Sequence, residues 1–229
     1  RSSAWVMIDE NRTECWTASV ASHPSDITKI LKNIPVPHTD IQVAIEPVAG
    51  WRWVSELLEK VGMEVHVANP LKVALIAKSD QKHDAGDARI LAELLASGYF
   101  PEAYKVTDDI YELRTLLRER QYIIKLRTSA KNRLHGIATT QGLHTIIGGN
   151  PLHVRGKESI MESNSIVLQE LHHLIEDLNG RIAPLDTLIE ANAKKYPLAS
   201  LLKTIPCVGN ITALTVIAEV GDFARFSSA

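Results

Sequence analysis

Cysteine is scarce: Cys15 and Cys207 are the only two in 229 residues. They stand far apart and form no CxxC pair, which argues against a zinc site or a disulfide framework and leads us to expect a reducing cytoplasm. Long apolar runs are missing too. None approaches the roughly 20 residues needed to cross a bilayer, and no signal-peptide pattern opens the chain. Charge of one sign is also lacking, with 25 basic against 27 acidic residues and a net charge of -2. The remainder, 45% apolar and 23% charged, is the composition of an ordinary globular protein, and the length suits one large domain or two small ones. The first residue is Arg1 rather than Met, as expected of a fragment or a processed chain.

The near-zero net charge hides segregation. Residues 112 to 135 carry seven cations, Arg114, Arg118, Arg120, Lys125, Arg127, Lys131 and Arg133, against Glu112 and Glu119. A local positive excess on one segment is an electrostatic footprint for phosphate, although a solvated helix face has the same composition. Arg114, Arg118, Arg127, Lys131 and Arg133 are the candidate nucleic-acid contacts, with Lys125 able to lie on a buried side.

Hydropathy patterning orders the chain into three parts. Over residues 1–105, strand-like and helix-like stretches alternate: a hairpin of Val6–Ile8 and Cys15–Val20 turning at Glu10–Thr13, a helix from Ser25 to Leu31, a strand from Ile41 to Glu46, and a helix from Trp51 to Val61 capped by Gly62. A strand at Glu64–Ala68, a short helix at Leu71–Ala77 and a helix from Asp84 to Ala96 complete a mixed sheet flanked by helices. Residues 106–196 change character. A long amphipathic helix runs from about 108 to Gly142, residues 143–163 form a connection rich in glycine, and a second helical stretch covers about 164–195. Leu171, Leu174, Leu178, Leu185 and Leu188 recur at coiled-coil spacing, so an antiparallel pair is expected, as a dimerisation coiled coil or as a monomeric helical core, with a kink or break at Gly180 and Pro184. Residues 197–229 read as helix, tight turn, helix around Ile205-Pro206-Cys207-Val208-Gly209, where Gly209 is expected to supply the turn's unusual backbone angles and to present amides to phosphate. This is the pattern of a helix-hairpin-helix, or of an ordinary pair of helices.

One set of acids points to chemistry. Asp9 closes an apolar strand, Glu46 closes another before Pro47 and Gly50, and Asp84 and Asp87 open a helix three residues apart on one face. Taken singly, acids at strand ends and in first helical turns are common, because turns are solvated and helix N-termini favour negative charge. Two strand-end acids and a helical pair in β, β, α order are what a ribonuclease H-like fold uses to hold a divalent ion. Hard oxygen donors of this kind suit Mg2+ or Mn2+ for phosphodiester chemistry.

These residues bear a family resemblance. Ile8-Asp9, Ile45-Glu46-Pro47-Val48-Ala49-Gly50, Asn69-Pro70 and Lys82-His83-Asp84-Ala85-Gly86-Asp87-Ala88, then Leu113-Arg114 to Leu134, then Ile205-Pro206-Cys207-Val208-Gly209 with Ala218 to Asp222, resemble the DEDD-type insertion-sequence transposases in order and spacing. That family includes DNA invertases and bridge-RNA-guided recombinases of bacteria. The resemblance implies a RuvC-like first domain in which Asp9, Glu46, Asp84 and Asp87 form a catalytic, metal-binding tetrad. It further implies Mg2+ or Mn2+ as cofactor, DNA and a guide RNA as partners, and assembly as a dimer or tetramer. It also implies a nucleophilic serine in a second domain, beyond Ala229. His83 stands where the family usually has threonine, and Cys207 where it often has glycine. The expected function is that of a transposase or site-specific recombinase. A structure-selective RuvC-like endonuclease and a non-catalytic nucleic-acid-binding fragment are the alternatives.

Overall fold

The computed structural model describes residues 2–76, 84–143, 158 and 160–226. The chain divides into two compact units, Arg1–Lys105 and Val106–Ala229. In the first, β1 (Ser2–Ile8) and β2 (Glu14–Ala21) pair antiparallel, with a register irregularity between Met7 and Ile8. The intervening turn is closed by Asp9, whose backbone amide donates to the Thr13 carbonyl at 2.9 Å. Helix α1 (Pro24–Leu31) starts one residue earlier than its serine suggests, because His23 takes the cap position and its Nδ1 accepts from the Ser25 amide. Strand β3 (Gln42–Ile45), helix α2 (Trp51–Lys60) and β4 (Glu64–Val67) form a crossover unit whose strands are parallel, Gln42 opposite Glu64 and Ile45 opposite Val67. Helices α3 (Pro70–Ile76) and α4 (Asp84–Ala96) follow.

The expected single mixed sheet is not what the described strands form. They make two separate pairs, β1 with β2 and β3 with β4. Packing rather than hydrogen bonding joins them: α4 lies against both β1 and β3. Ile27, Leu31, Leu58 and Met63 build one core, against which Trp5, Val20, Val43 and Val65 rest. Ala68, Val73 and Leu91 build a second one with Ala44 beside them.

The second unit is helical. Helix α5 (Asp108–Thr140) and helix α6 (Ile166–Ala193) run antiparallel: Leu113 and Leu117 cluster with Ile189 at one end, and Ala130, Leu134 and Ala138 cluster with Leu168 and Ile175 at the other. Between the clusters lies a polar waist, where Arg120 pairs with Asp186 and the Arg127 guanidinium donates to Asn179 Oδ1 at 3.0 Å. The expected break at Gly180 and Pro184 does not occur, and α6 continues through both. A proline ring displaces the carbonyl four residues earlier, which here belongs to Gly180, a residue with no side chain to resist the adjustment. Burial of Ile182, and of Ile189 against Leu113 and Leu117 of α5, offsets the lost hydrogen bond. Helices α7 (Pro197–Leu202) and α8 (Asn210–Val220) pack onto the same end of the pair through Ala199, Ala213, Leu214 and Ile217. No helix among the described residues is long and apolar enough to cross a membrane.

Candidate metal and nucleic-acid sites

Each of the four acids sits at the end of an element. Asp9 follows β1 and is exposed, and its Oδ1 accepts from the amides of Asn11 at 2.9 Å and Thr13 at 2.8 Å. One carboxylate oxygen is therefore engaged in shaping the hairpin turn, which helps place Arg12 at a φ of +63°. Glu46 follows β3 and is exposed. Its carbonyl accepts from the Val48 amide at 2.8 Å, opening the bend that ends at Gly50. Asp84 and Asp87 occupy the first turn of α4, the former exposed and the latter half-buried. Lys82 and His83, which precede them in the motif, lie outside the described residues.

Two contacts tie α4 to the strands that carry Asp9 and Glu46 or to their neighbours. Arg89 of α4 donates to Glu14 at 3.3 Å, and Glu14 is the β2 residue paired with Ile8, next to Asp9. Leu91 of α4 packs in the cluster that Ala44 of β3 joins, and Asp87 lies one turn ahead of Leu91 on the same helix face. The start of α4 thus faces the chain just beyond β1. The donor set fits a hard divalent cation by its chemistry, all carboxylate oxygen with no thiolate or imidazole. Among the described residues, however, no three His, Cys, Asp or Glu side chains close around a common point as a metal site. Sequence reasoning missed the Arg89 to Glu14 bridge. Its α4 half was readable as the spacing of Arg89 and Glu93, which pair at 2.9 Å, but nothing local announces the β2 partner.

The basic helix is more engaged with protein than its charge suggests. Arg114 donates to the Ala218 carbonyl through Nε at 2.9 Å and through a terminal nitrogen at 2.6 Å, closing the end of α8. Arg118 grips Glu219 with two hydrogen bonds, at 3.0 and 2.8 Å. Those bonds hold the Glu219 carboxyl below its usual range, the charges of Arg118 and Arg114 adding to the effect against partial burial. Arg127 is tied to Asn179, Lys131 is half-buried, and Lys125 and Arg133 are exposed. Lys125 is thus not on the buried side.

In the turn between α7 and α8 the unusual angles belong to Cys207, at a φ of +66°, and not to Gly209, which is extended at φ -92° and ψ 179° and caps α8. The glycine was the obvious candidate by residue type. The signal that points to Cys207 is the glycine its family relatives often place there.

The matches to known proteins cover both units. A transposase family, the DEDD transposases of the IS110 type, matches residues 1–140, which hold all four acids and α5. The transposase IS116/IS110/IS902 family matches residues 199–229, from within α7 onward. The chain belongs to the IS110 family of DEDD transposases. It is 28% identical to the transposase for insertion sequence element IS1111A of Coxiella burnetii, over 72% of this chain and 47% of that protein. It is 24% identical to a probable family 20 transposase of Pseudomonas aeruginosa, over 80% of this chain and 56% of that protein. The transposase for insertion sequence element IS1328 of Yersinia enterocolitica matches at 24% identity, over 81% and 57%. The chain spans about half the length of these relatives.

Proposed function

We propose that this chain is the metal-dependent part of an insertion-element transposase that cleaves and rejoins DNA strands. The observation that carries the reading is the position of Asp9, Glu46, Asp84 and Asp87, all inside the family-matched segment and all at the ends of elements. Asp84 and Asp87 stand on one helical turn and would hold a Mg2+ or Mn2+ ion from α4, with Asp9 and Glu46 supplying oxygens from the strand ends. When bound, such an ion polarises a phosphoryl oxygen and offsets the charge that develops there. The chain's own groups set up that site. The hairpin turn fixes Asp9 through two backbone amides, and the Arg89 bridge holds α4 against β2.

For nucleic acid, Arg114 and Arg118 are bound up in holding α8. Phosphate contact is therefore assigned to Lys125 and Lys131 on α5 and to the start of α8 at Gly209.

The experiment is a calorimetric Mn2+ titration of this chain, with a short branched DNA present, against Asp84→Asn/Asp87→Asn. Binding in the parent that disappears in a folded double variant supports the reading. No binding in either, with salt-sensitive DNA affinity indifferent to divalent ions, supports a nucleic-acid-binding fragment instead. Cleavage of branched DNA by this chain alone would make it a structure-selective nuclease.

A further inference from the structure

The turn that closes the hairpin of β1 and β2 puts a cation where glycine would be the least costly residue. Arg12 donates its amide to the Asp9 carbonyl at 2.9 Å, and the Asp9 amide donates to the Thr13 carbonyl at 2.9 Å. This is a tight turn followed by one residue in the left-handed region, and that residue is the exposed Arg12, at a φ of +63°. A residue with a Cβ is strained there, and glycine or asparagine takes the position at lower cost. Strain of this kind clusters where the strained residue has a task. The charge is also unspent. Among the described residues, Arg12 and Arg133 are the only arginines with no hydrogen bond, ion pair or ring contact, and Arg133 lies in ordinary helical backbone on α5. Arg12 is flanked by Asp9, Glu10 and Glu14, yet it bonds to none of them. Asp9 Oδ1 accepts from the amides of Asn11 and Thr13, and Glu14 accepts from Arg89 of α4, the helix whose first turn carries Asp84 and Asp87.

We infer, resting on the metal-site reading above, that Arg12 is a phosphate clamp: its guanidinium binds the phosphodiester of the DNA strand seated at Asp9, Glu46, Asp84 and Asp87. One turn fixes both the acid and the cation, because Asp9 Oδ1 holds the amides on either side of Arg12. A phosphodiester presents two non-bridging oxygens, and where one faces a cation held by carboxylates the other is left for a second donor. Arginine suits that place, with a fork of N–H donors and a charge that persists at every working pH. The chain around Asp9 needs such a charge. Residues 9–14 hold three acids, Asp9, Glu10 and Glu14, and Arg12 is the one cation that offsets their repulsion of a phosphate backbone. A guanidinium already fixed beside the phosphorus also stabilises the negative charge that develops on its oxygens as the strand is cut.

The test combines urea unfolding, calorimetric Mn2+ titration and fluorescence anisotropy of a short labelled branched DNA, all on the 229-residue chain. Arg12→Gly is expected to raise the urea midpoint, because glycine adopts the left-handed conformation without steric cost. Its Mn2+ affinity without DNA is expected to stay within about threefold of the parent, since an exposed charge acts weakly on its neighbours. Its DNA affinity in Mn2+ is expected to fall by about tenfold, the size of a lost charge-assisted contact, and the salt dependence to lose the slope of one phosphate. Arg12→Lys keeps the charge on the same backbone and is expected to recover to within about threefold of the parent. In the Asp84→Asn/Asp87→Asn background, Arg12→Gly is expected to cost less than about threefold, because the two act on one phosphate. Unchanged DNA affinity in Arg12→Gly overturns the inference. So does Arg12→Lys binding as weakly as Arg12→Gly, which assigns the loss to the turn, or a full loss with the acids disabled, which makes Arg12 a diffuse attraction. A lower urea midpoint gives Arg12 a structural task and overturns it as well. The metal-site reading fails by a separate result, Mn2+ binding that is absent from the parent or survives Asp84→Asn/Asp87→Asn, and the clamp then fails with it.

Discussion

At the scale of single residues, the backbone at Cys207 carries strain and the backbone at Gly50 forbids change. Cys207 holds a left-handed conformation, with φ at +66°, that costs a residue with a Cβ about 1 to 2 kcal/mol. Cys207→Gly is therefore expected to stabilise the second unit by about 1 kcal/mol, measured as a rise in the midpoint of urea unfolding. An unchanged or lower midpoint would show that the thiol's contacts outweigh the relief. The opposite holds at Gly50, where φ is +93° and an added Cβ would stand 2.7 Å from the indole nitrogen of Trp53. Gly50→Ala is expected to destabilise the first unit by about 1 to 3 kcal/mol, and to disturb the bend after Glu46. The contrast between Cys207 and Gly209 marks a limit of reading residue types. Glycine permits unusual angles without requiring them, and in this turn the chain put them two residues earlier.

At the scale of elements, the helices were legible because their signals are local. Gly62, Gly98 and Gly142 end α2, α4 and α5 with positive φ, as helix-terminating glycines do. The sheet was less legible, since strand partners are set by distant residues: β1 and β3 both read as strands, yet they share the packing of α4 instead of hydrogen bonds. Nor could charge counting foresee that carbonyls at the end of α8 and Glu219 occupy Arg114 and Arg118. That contact has a pH signature. Glu219 titrates below its ordinary range when folded, so its contribution is fully present above the unfolded glutamate pKa of about 4.3 and is lost as pH falls through the lower folded value. Glu219→Gln is thus expected to be less stable than the parent at neutral pH and to converge with it once the pH has fallen below the lowered folded value, compared by urea unfolding across the acid range; a gap that persists throughout would assign the effect to packing. In α6, Pro184 is exposed and removes one helical hydrogen bond. Pro184→Ala is expected to stabilise the helix by up to about 3 kcal/mol, read from thermal unfolding, with loss of stability indicating that α6 needs a bend there.

At the scale of the whole molecule, the candidate metal site was legible residue by residue, through apolar runs ending in acids, but not as an assembled geometry. The distance between strand ends is a tertiary quantity, and hydrogen bonds from Asn11 and Thr13 to Asp9 are invisible to spacing. The turn therefore competes with any cation for one Asp9 oxygen. Asp9→Asn keeps an acceptor for both amides while removing the charge, so it is expected to preserve the fold by circular dichroism and to lower Mn2+ affinity by calorimetry. Unfolding of that variant would give the carboxylate a structural task.

The polar waist between α5 and α6 has a consequence for alignment. Leucine and isoleucine stripes repeat, so two such helices are nearly indifferent to sliding past one another by one heptad. The pairs of Arg120 with Asp186 and Arg127 with Asn179 break that degeneracy. Slid one way, Arg120 meets Asn179 while Arg127 meets His172; slid the other way, Arg127 meets Asp186 while Arg120 meets Ala193. Only the observed alignment gives each guanidinium a side-chain oxygen to bond, so the waist acts as the key that makes one lock position out of several that grease alone would allow.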